Sequence, residues 1–158
     1  MRNNKGFSLV ELIIVIAIMA ILVGVMAPQL IKYIEKTNVS SDTQLCDTVK
    51  QAITTAITDA ATANDAAART FITNNSNGWK DLSVIDGGTA NAFTSSVAEA
   101  LNTTVGNVNT SVDGKLKSWN SGTANVQFYI SGNSVHVKID GSDATGRKTN
   151  SGQIIYVD

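Results

Sequence analysis

The sequence is poor in the residues that most often build catalytic and metal-binding sites. Its 158 residues include one cysteine, one histidine and one proline. Cys46 has no second cysteine with which to form an intrachain disulfide or a paired zinc ligand. His136 has no second histidine with which to share a metal ion, and no nucleophile motif or glycine-rich phosphate loop accompanies it. We therefore expect a protein that is not an enzyme and binds no cofactor or metal.

The charge composition does not indicate a particular class of binding partner. Charged residues make up 16% of the sequence and the formal net charge is −1, so no overall attraction to nucleic acid or anionic lipid arises. Five basic residues of the C-terminal part could form a patch for nucleic acid: Lys115, Lys117, Lys138, Arg147 and Lys148. Four aspartates of the same part nearly cancel them. A solvated face is favoured over a nucleic-acid site.

What the sequence does contain is a long apolar run near its N-terminus. Residues 12–27 are hydrophobic apart from Gly24. As a helix they would span about 24 Å, which is short of the ~30 Å hydrocarbon core of a bilayer. Extension back to Phe7 and forward to Ile31 makes the run long enough, provided that the membrane tolerates the carboxylate of Glu11.

The flanks of the run predict its orientation. Arg2 and Lys5 precede it without an acidic residue among the first ten, which favours a cytoplasmic N-terminus and an outward-facing remainder. A conventional signal peptide fits poorly, because Glu11 interrupts the apolar region and no small-residue cleavage site follows Ala27. A plain membrane anchor remains open, but it leaves Glu11 without a partner.

The segment KGFSLVELI, residues 5–13, resembles the processing site of type IV pilins and the related pseudopilins. The resemblance covers about residues 5–35, roughly a fifth of the chain. It implies that a membrane prepilin peptidase and methyltransferase cleaves after Gly6 and methylates the new amine of Phe7. Residues 1–6 would then be a leader peptide. The many pilins that close a C-terminal loop with a disulfide differ here, since this chain has one cysteine.

The resemblance offers a partner for Glu11. Cleavage before Phe7 creates a positive amine about one helical turn away, and in a stacked filament the amine of one subunit can lie beside Glu11 of its neighbour. An uncompensated buried charge costs several kcal/mol, so such pairing would favour assembly and fix the axial register. Alternatively, Glu11 complements the N-terminus of its own helix. The two roles are compatible.

Pro28 predicts an irregularity within the apolar helix. Proline removes the hydrogen bond to the carbonyl four residues earlier, which belongs to Gly24, itself a weak helix former. Residues 24–28 are therefore a candidate kink, or a segment that extends during assembly. A simple packing kink is the alternative.

Apolar residues recur at helical spacing beyond Pro28, which predicts one helix over about residues 8–61. The residues of this apolar face are Leu45, Val49, Ala52, Ile53, Ala56, Ile57 and Ala60. Cys46 falls near this face, so a buried structural thiol is favoured over a reactive or intermolecular one.

The remainder is predicted to be loop-rich first and β-rich afterwards. Residues 62–122 contain one short helix with Phe93, Val97 and Leu101 on one face, and a weak capping box of Ser96 and Glu99. Packing in the core is the favoured role of Trp79 and Trp119. Short strands are expected at residues 126–130, 135–140 and 153–157. The predicted fold class is α+β, with a long N-terminal helix packed on an antiparallel sheet of three to four strands.

The predicted organisation has a leader (1–6), a transmembrane and polymerisation helix (7–34) and an extracellular globular domain (35–158). The domain comprises the amphipathic helix to about residue 61, a variable loop region (62–122) and a β-meander (123–158). The resemblance implies a major pilin that polymerises into a surface pilus. Two alternatives stay open: a pseudopilin of a type II secretion or DNA-uptake system, and a monomeric membrane-anchored binding module.

The partners that the resemblance implies are other pilin subunits, minor pilins, the peptidase, the assembly machinery and membrane lipid before assembly. Nucleic acid is a weakly supported further partner. The expected location is the cytoplasmic membrane as a single-pass protein, and the cell-surface pilus after assembly.

Overall fold

The computed structural model describes residues 7–117, 124–140 and 155–157. The chain divides into two compact units, of which the first ends at Lys36 and the second begins at Thr37. The predicted cleavage position at Gly6, as well as Trp119, Arg147 and Lys148, lies outside the described residues.

Helix α1 is 50 residues long, Leu9–Thr58, and confirms the predicted long N-terminal helix. Its most apolar window has a mean hydropathy of 3.0 and no buried residue, so the helix is long and apolar enough to cross a membrane. Pro28 lies inside α1, which continues through it. A kink at Gly24 and Pro28 stays a prediction.

Within the second unit, α1 turns an apolar face into the core. The buried residues of the helix recur every three or four positions, as one helical face requires. They are Asp42, Cys46, Val49, Ala52, Ile53 and Ala56. The apolar members of this set belong to the same hydrophobic cluster as the inner face of the sheet, which confirms the α+β fold class.

The sheet has four antiparallel strands in the order β1-β2-β3-β4. They are β1 (Lys80–Asp81), β2 (Asn125–Ser131), β3 (Ser134–Asp140) and β4 (Ile155–Val157). Strands β2 and β3 form a hairpin in which Phe128 opposes Val137. Its two-residue turn contains Gly132 at φ 60, a left-handed conformation that glycine adopts without strain. Strand β1 is an addition to the three strands that the sequence pattern indicated.

Alternation along the hairpin separates a buried face from a partly exposed one. Val126, Phe128 and Ile130 of β2 are buried, whereas Gln127 and Tyr129 are half-buried. On β3 the buried residues are Val135, Val137 and Ile139. This period of two is what an antiparallel sheet with one covered face requires.

The segment expected to be mostly loop is more helical than predicted. Between α1 and β2 the described residues form five short helices. They are α2 (Ala60–Asn64), α3 (Ala66–Asn75), α4 (Ser83–Gly87), α5 (Ala92–Ala100) and α6 (Val108–Asp113). The one short helix expected from the sequence is α5, which buries Phe93 and Val97.

The predicted capping box at Ser96 and Glu99 is wrong, because α5 begins a turn earlier. Asn91 is the N-cap, and its side chain accepts the N–H of Thr94 at 3.0 Å. The hydroxyl of Thr94 accepts the N–H of Asn91 at 3.0 Å in return. Threonine thus takes the place that glutamate or glutamine usually has in this motif.

Carboxylates hold the short helices together through backbone N–H groups. Asp65 caps α3 at Ala67 (2.8 Å) and also accepts the N–H of Ala92 at 2.8 Å, at the start of α5. Asp86 accepts the N–H groups of Val108 and Asn109 at 2.7 and 3.0 Å, at the start of α6. The bonds to Ala92, Val108 and Asn109 join segments more than 20 residues apart and tie the starts of α5 and α6 to the rest of the unit.

The expectation that Trp79 packs in the core is wrong. Trp79 is half-buried and lies outside the core cluster. Its ring is 5.9 Å from that of Tyr129, and the Lys138 ammonium lies 4.7 Å from its ring centroid. Since Tyr129 alternates with the buried residues of β2, this aromatic cluster is on the face of the sheet opposite the core.

Candidate assembly surface

Among the described residues, the large exposed hydrophobic side chains lie in residues 7–34, and we call this surface the apolar helix surface. Every large hydrophobic residue in it is about half exposed or more, from 48% at Val15 to 89% at Phe7. Monomeric soluble proteins rarely expose contiguous apolar patches of more than a few hundred Å². The first unit therefore requires lipid or other protein chains to cover it.

Glu11 lies in the first turn of α1, and its carboxylate contacts the chain's own backbone. Its Oε2 atom accepts the N–H of Ser8 at 2.8 Å. This bond satisfies one of the amides that a helix N-terminus leaves unpaired, and the negative charge is favourable at that end of the helix dipole. The self-capping role predicted for Glu11 is therefore present in the single chain.

Phe7 and Glu11 lie at the same end of the helix. Phe7 directly precedes Ser8, whose N–H is the one that Glu11 binds, and the Phe7 side chain is 89% exposed. An amine created at Phe7 would therefore be close to the carboxylate of its own chain as well as to solvent. The pairing of Glu11 with a neighbouring subunit stays a prediction.

Gly24 is not required by any contact within the chain. A Cβ atom added at this position would meet nothing within 4 Å. The absence of a side chain is thus not needed for packing within this unit. If Gly24 has a role, it concerns the flexibility of the helix or close approach by another chain.

Two residues at the end of the apolar helix surface were missed by the sequence reasoning. Lys32 is exposed and is the first cation after the apolar run, and Tyr33 beside it is 69% exposed. Lys36 follows one turn later on the same side. Basic and aromatic residues of this kind are enriched where a membrane helix leaves the hydrocarbon, and this was the signal available in the sequence.

The remaining candidates do not assemble into a reactive site. Cys46 is fully buried, as predicted, and burial, followed by the charges of Asp42 and Asp47, raises the pKa of its thiol to about 12. The thiol is therefore protonated and unreactive at neutral pH. Among residues 7–117, 124–140 and 155–157, no group of three histidine, cysteine or carboxylate side chains could hold a metal ion.

Comparison with known proteins bears on the N-terminal segment. A family model described as the prokaryotic N-terminal methylation motif matches residues 1–27. This motif, together with the two pilins described next, confirms the predicted resemblance to type IV pilins.

Two curated pilins extend the similarity. The chain is 35% identical over 84 residues to the type IV major fimbrial protein FimA of Dichelobacter nodosus, a match that covers 53% of this chain and 48% of FimA. It is 55% identical over 38 residues to the type IV wide pilus major component PilA4 of Thermus thermophilus, covering 24% of this chain and 29% of PilA4. The chain thus spans less than half of the length of these relatives. No solved structure matches it significantly.

Proposed function

We propose that this chain is the precursor of a major pilin, which polymerises through the apolar helix surface into a type IV pilus on the cell surface. The observation that carries the proposal is an apolar helix segment that contains no buried residue and overlaps the N-terminal methylation motif at residues 1–27. A plain anchor explains the apolar segment but not the motif. Adhesion, motility or biofilm formation would be functions of the assembled filament.

Processing is the first step of the proposal. A prepilin peptidase and methyltransferase cleaves between Gly6 and Phe7 and methylates the Phe7 amine. The mature protein should then begin with Phe7 and carry one added methyl group, which mass spectrometry of the purified subunit can measure. A mature N-terminus at Pro28 or Gln29 would instead identify a conventional signal peptide.

Assembly is the second step. Before it, the apolar helix surface is covered by lipid of the cytoplasmic membrane, with the N-terminus on the cytoplasmic side. Membrane-bound assembly machinery and minor pilins would then bring subunits together, so that neighbouring helices replace the lipid. Small-residue positions such as Gly24 allow helices to approach each other closely in this exchange.

Glu11 would fix the axial register of neighbouring subunits in the filament. The carboxylate that accepts the Ser8 N–H in the single chain has further acceptor capacity, because an ionised carboxylate offers about four lone-pair positions. The Phe7 amine of a neighbouring subunit can use that capacity. A charge pair buried between helices penalises misaligned neighbours, because a shift would leave both charges unpaired.

The proposal is tested by electron microscopy of surface shear fractions, with an antibody raised against the second unit. Long labelled fibres at native expression are the expected result. Processed subunit that remains in the membrane fraction without fibres would favour a pseudopilin of a secretion or DNA-uptake system. Unprocessed subunit displayed at the surface without fibres would favour a monomeric anchored protein.

A further inference from the structure

The apolar part of α1 is longer than a bilayer is thick. Residues 9–34 of the helix extend over about 39 Å at ~1.5 Å per residue, whereas the hydrocarbon core is ~30 Å thick and accommodates about 20 residues. The segment can therefore sit in a membrane at more than one depth. Of the 20-residue stretches that could fill the core, residues 7–26 enclose Glu11 and residues 12–31 do not.

Charged side chains bracket only one of these two placements. Glu11 directly precedes residue 12 and Lys32 directly follows residue 31. The enclosed stretch has Gln29 as its single side chain with hydrogen-bonding groups, one turn from Lys32. A helix of this length therefore places both charges at water-exposed boundaries while its apolar residues fill the hydrocarbon.

The alternative placement is costly at both ends. It takes Glu11 into the hydrocarbon, where a charged side chain without a partner is costly. The Ser8 N–H would remain its hydrogen-bond donor there, but a neutral amide does not balance the charge. It also leaves Leu30 and Ile31, which are 59% and 60% exposed, in contact with water instead of lipid.

We propose that, before assembly, Glu11 and Lys32 lie at the two headgroup layers of the membrane and that residues 12–31 alone span the hydrocarbon. Tyr33 and Lys36 share the outward-facing layer with Lys32, where both ammonium groups contact phospholipid phosphates. This inference rests on the membrane-embedded precursor of the proposed function. The partner surface is the headgroup region of a phospholipid bilayer.

The placement has a consequence for Glu11. At the cytoplasmic headgroup layer, its carboxylate remains hydrated and needs no counter-charge. Outward movement of the helix during assembly carries the same carboxylate into an apolar environment, where it does need one. The requirement for the Phe7 amine of a neighbour thus arises at assembly and not at insertion.

Water access to single cysteines distinguishes the two placements. The full-length chain carries Cys46→Ser and is reconstituted in vesicles of phosphatidylethanolamine and phosphatidylglycerol, with a membrane-impermeant maleimide present on both sides. Cysteines placed at Val10 and Lys36 should be labelled, whereas cysteines at Val23 and Leu30 should react at least tenfold more slowly. All four should react after solubilisation in detergent and denaturant, which is the control.

Each result has a defined meaning. Labelling at Leu30 together with protection at Val10 would establish the placement of residues 7–26 and overturn the inference. Labelling at Val23 would show that the chain is not inserted, which contradicts the proposed function itself. The two failures are therefore distinguishable.

A second variant tests whether Lys32 sets the boundary. Lys32→Leu extends the apolar run to Ile34, so a cysteine at Tyr33 should become several-fold less reactive. Lys115→Leu, which removes an exposed lysine of the second unit, should leave that reactivity unchanged. Unaltered labelling at Tyr33 in the Lys32→Leu background would contradict a role for Lys32 in fixing the depth.

Discussion

At the scale of single residues, several carboxylates of this chain accept hydrogen bonds from backbone N–H groups. Glu11, Asp65 and Asp86 each accept N–H groups at helix starts, and buried Asp42 accepts the N–H of Lys117 at 2.9 Å. The stability of the second unit is linked to pH through two carboxylates, Asp65, whose pKa is lowered by backbone N–H donors, and Asp113, whose pKa is raised by burial.

Asp65 and Asp113 should respond to pH in opposite directions. The N–H of Ala92 and that of Ala67 lower the pKa of Asp65, so its carboxylate stabilises the folded state above the usual carboxyl range, and that contribution is lost as pH falls through the lowered pKa. Burial raises the pKa of Asp113, which keeps one unpaired buried oxygen among the described residues. Its charged form therefore opposes folding at neutral pH.

The opposite pH responses of Asp65 and Asp113 can be tested by thermal unfolding of the second unit between neutral and strongly acidic pH. Asp65→Asn should lower the midpoint at pH 7, and the difference from the parent should shrink in acid, where Asp65 of the parent is protonated. Asp113→Asn, which retains an acceptor for Asn109, should raise the midpoint at pH 7 by a few °C at most, and this gain should also disappear in acid. The same sign for both variants at pH 7 would contradict the assignment.

At the scale of secondary structure, the sequence predicted elements whose signal is local and repeated. Helix α1 and the β2–β3 hairpin follow from periodicities of 3.6 and 2 over many residues. Of the five short helices between them, α5 was expected and the other four were missed. Helix α6 begins where the distant Asp86 accepts the N–H of Val108, and α2 and α4 have five residues each, which is too few for a periodic signal. Strand β1 was missed because two residues have no periodicity, and its position follows from pairing with β2.

In the candidate assembly surface, too, the sequence predicts the local features but not those that depend on a distant partner. The processing motif is contiguous, so residues 5–13 identify it without a structure. The partner proposed for Glu11 in a filament is a second chain, and no spacing within one sequence can place it. The depth proposed for the helix in a membrane rests on the separation of Glu11 and Lys32 along one continuous helix.

A fragment that starts at Lys36 should be soluble, monomeric and folded. It retains the buried face of α1 together with the sheet that shares its core, and it lacks the apolar helix surface. Ile53 is fully buried in that core, so Ile53→Ala should lower the free energy of unfolding of the fragment by about 2–5 kcal/mol in urea titrations.

Thr55→Ala is the matched control, because Thr55 lies on the exposed side of the same helix and should change stability by less than about 0.5 kcal/mol. Equal effects of the two substitutions would show that α1 does not pack on the sheet in solution. A fragment that aggregates or remains unfolded would contradict the independent stability of the second unit.

At the scale of the whole molecule, the two units place opposite demands on their surroundings. The first exposes apolar side chains along its whole length, whereas the second buries its hydrophobic residues in one core and presents hydroxyl-rich helices to solvent. A protein of this kind is stable in a bilayer or in an assembly that covers the first unit. Exchange between those two environments is the transition that the proposed function requires.

Substitution of Glu11 should block the exchange from the bilayer to the filament. Glu11→Ala removes a charge from the boundary of the membrane segment, so insertion should be intact, and the precursor should still reach the membrane. Filaments should nevertheless be lost, because the neighbour's Phe7 amine then has no carboxylate in the apolar interior. Glu35→Ala, which removes a carboxylate from the same helix beyond Lys32, is the control and should assemble. The measured quantity is the ratio of sheared filament to membrane-bound subunit at equal expression, and normal filaments from Glu11→Ala would exclude the intersubunit pair as the basis of assembly.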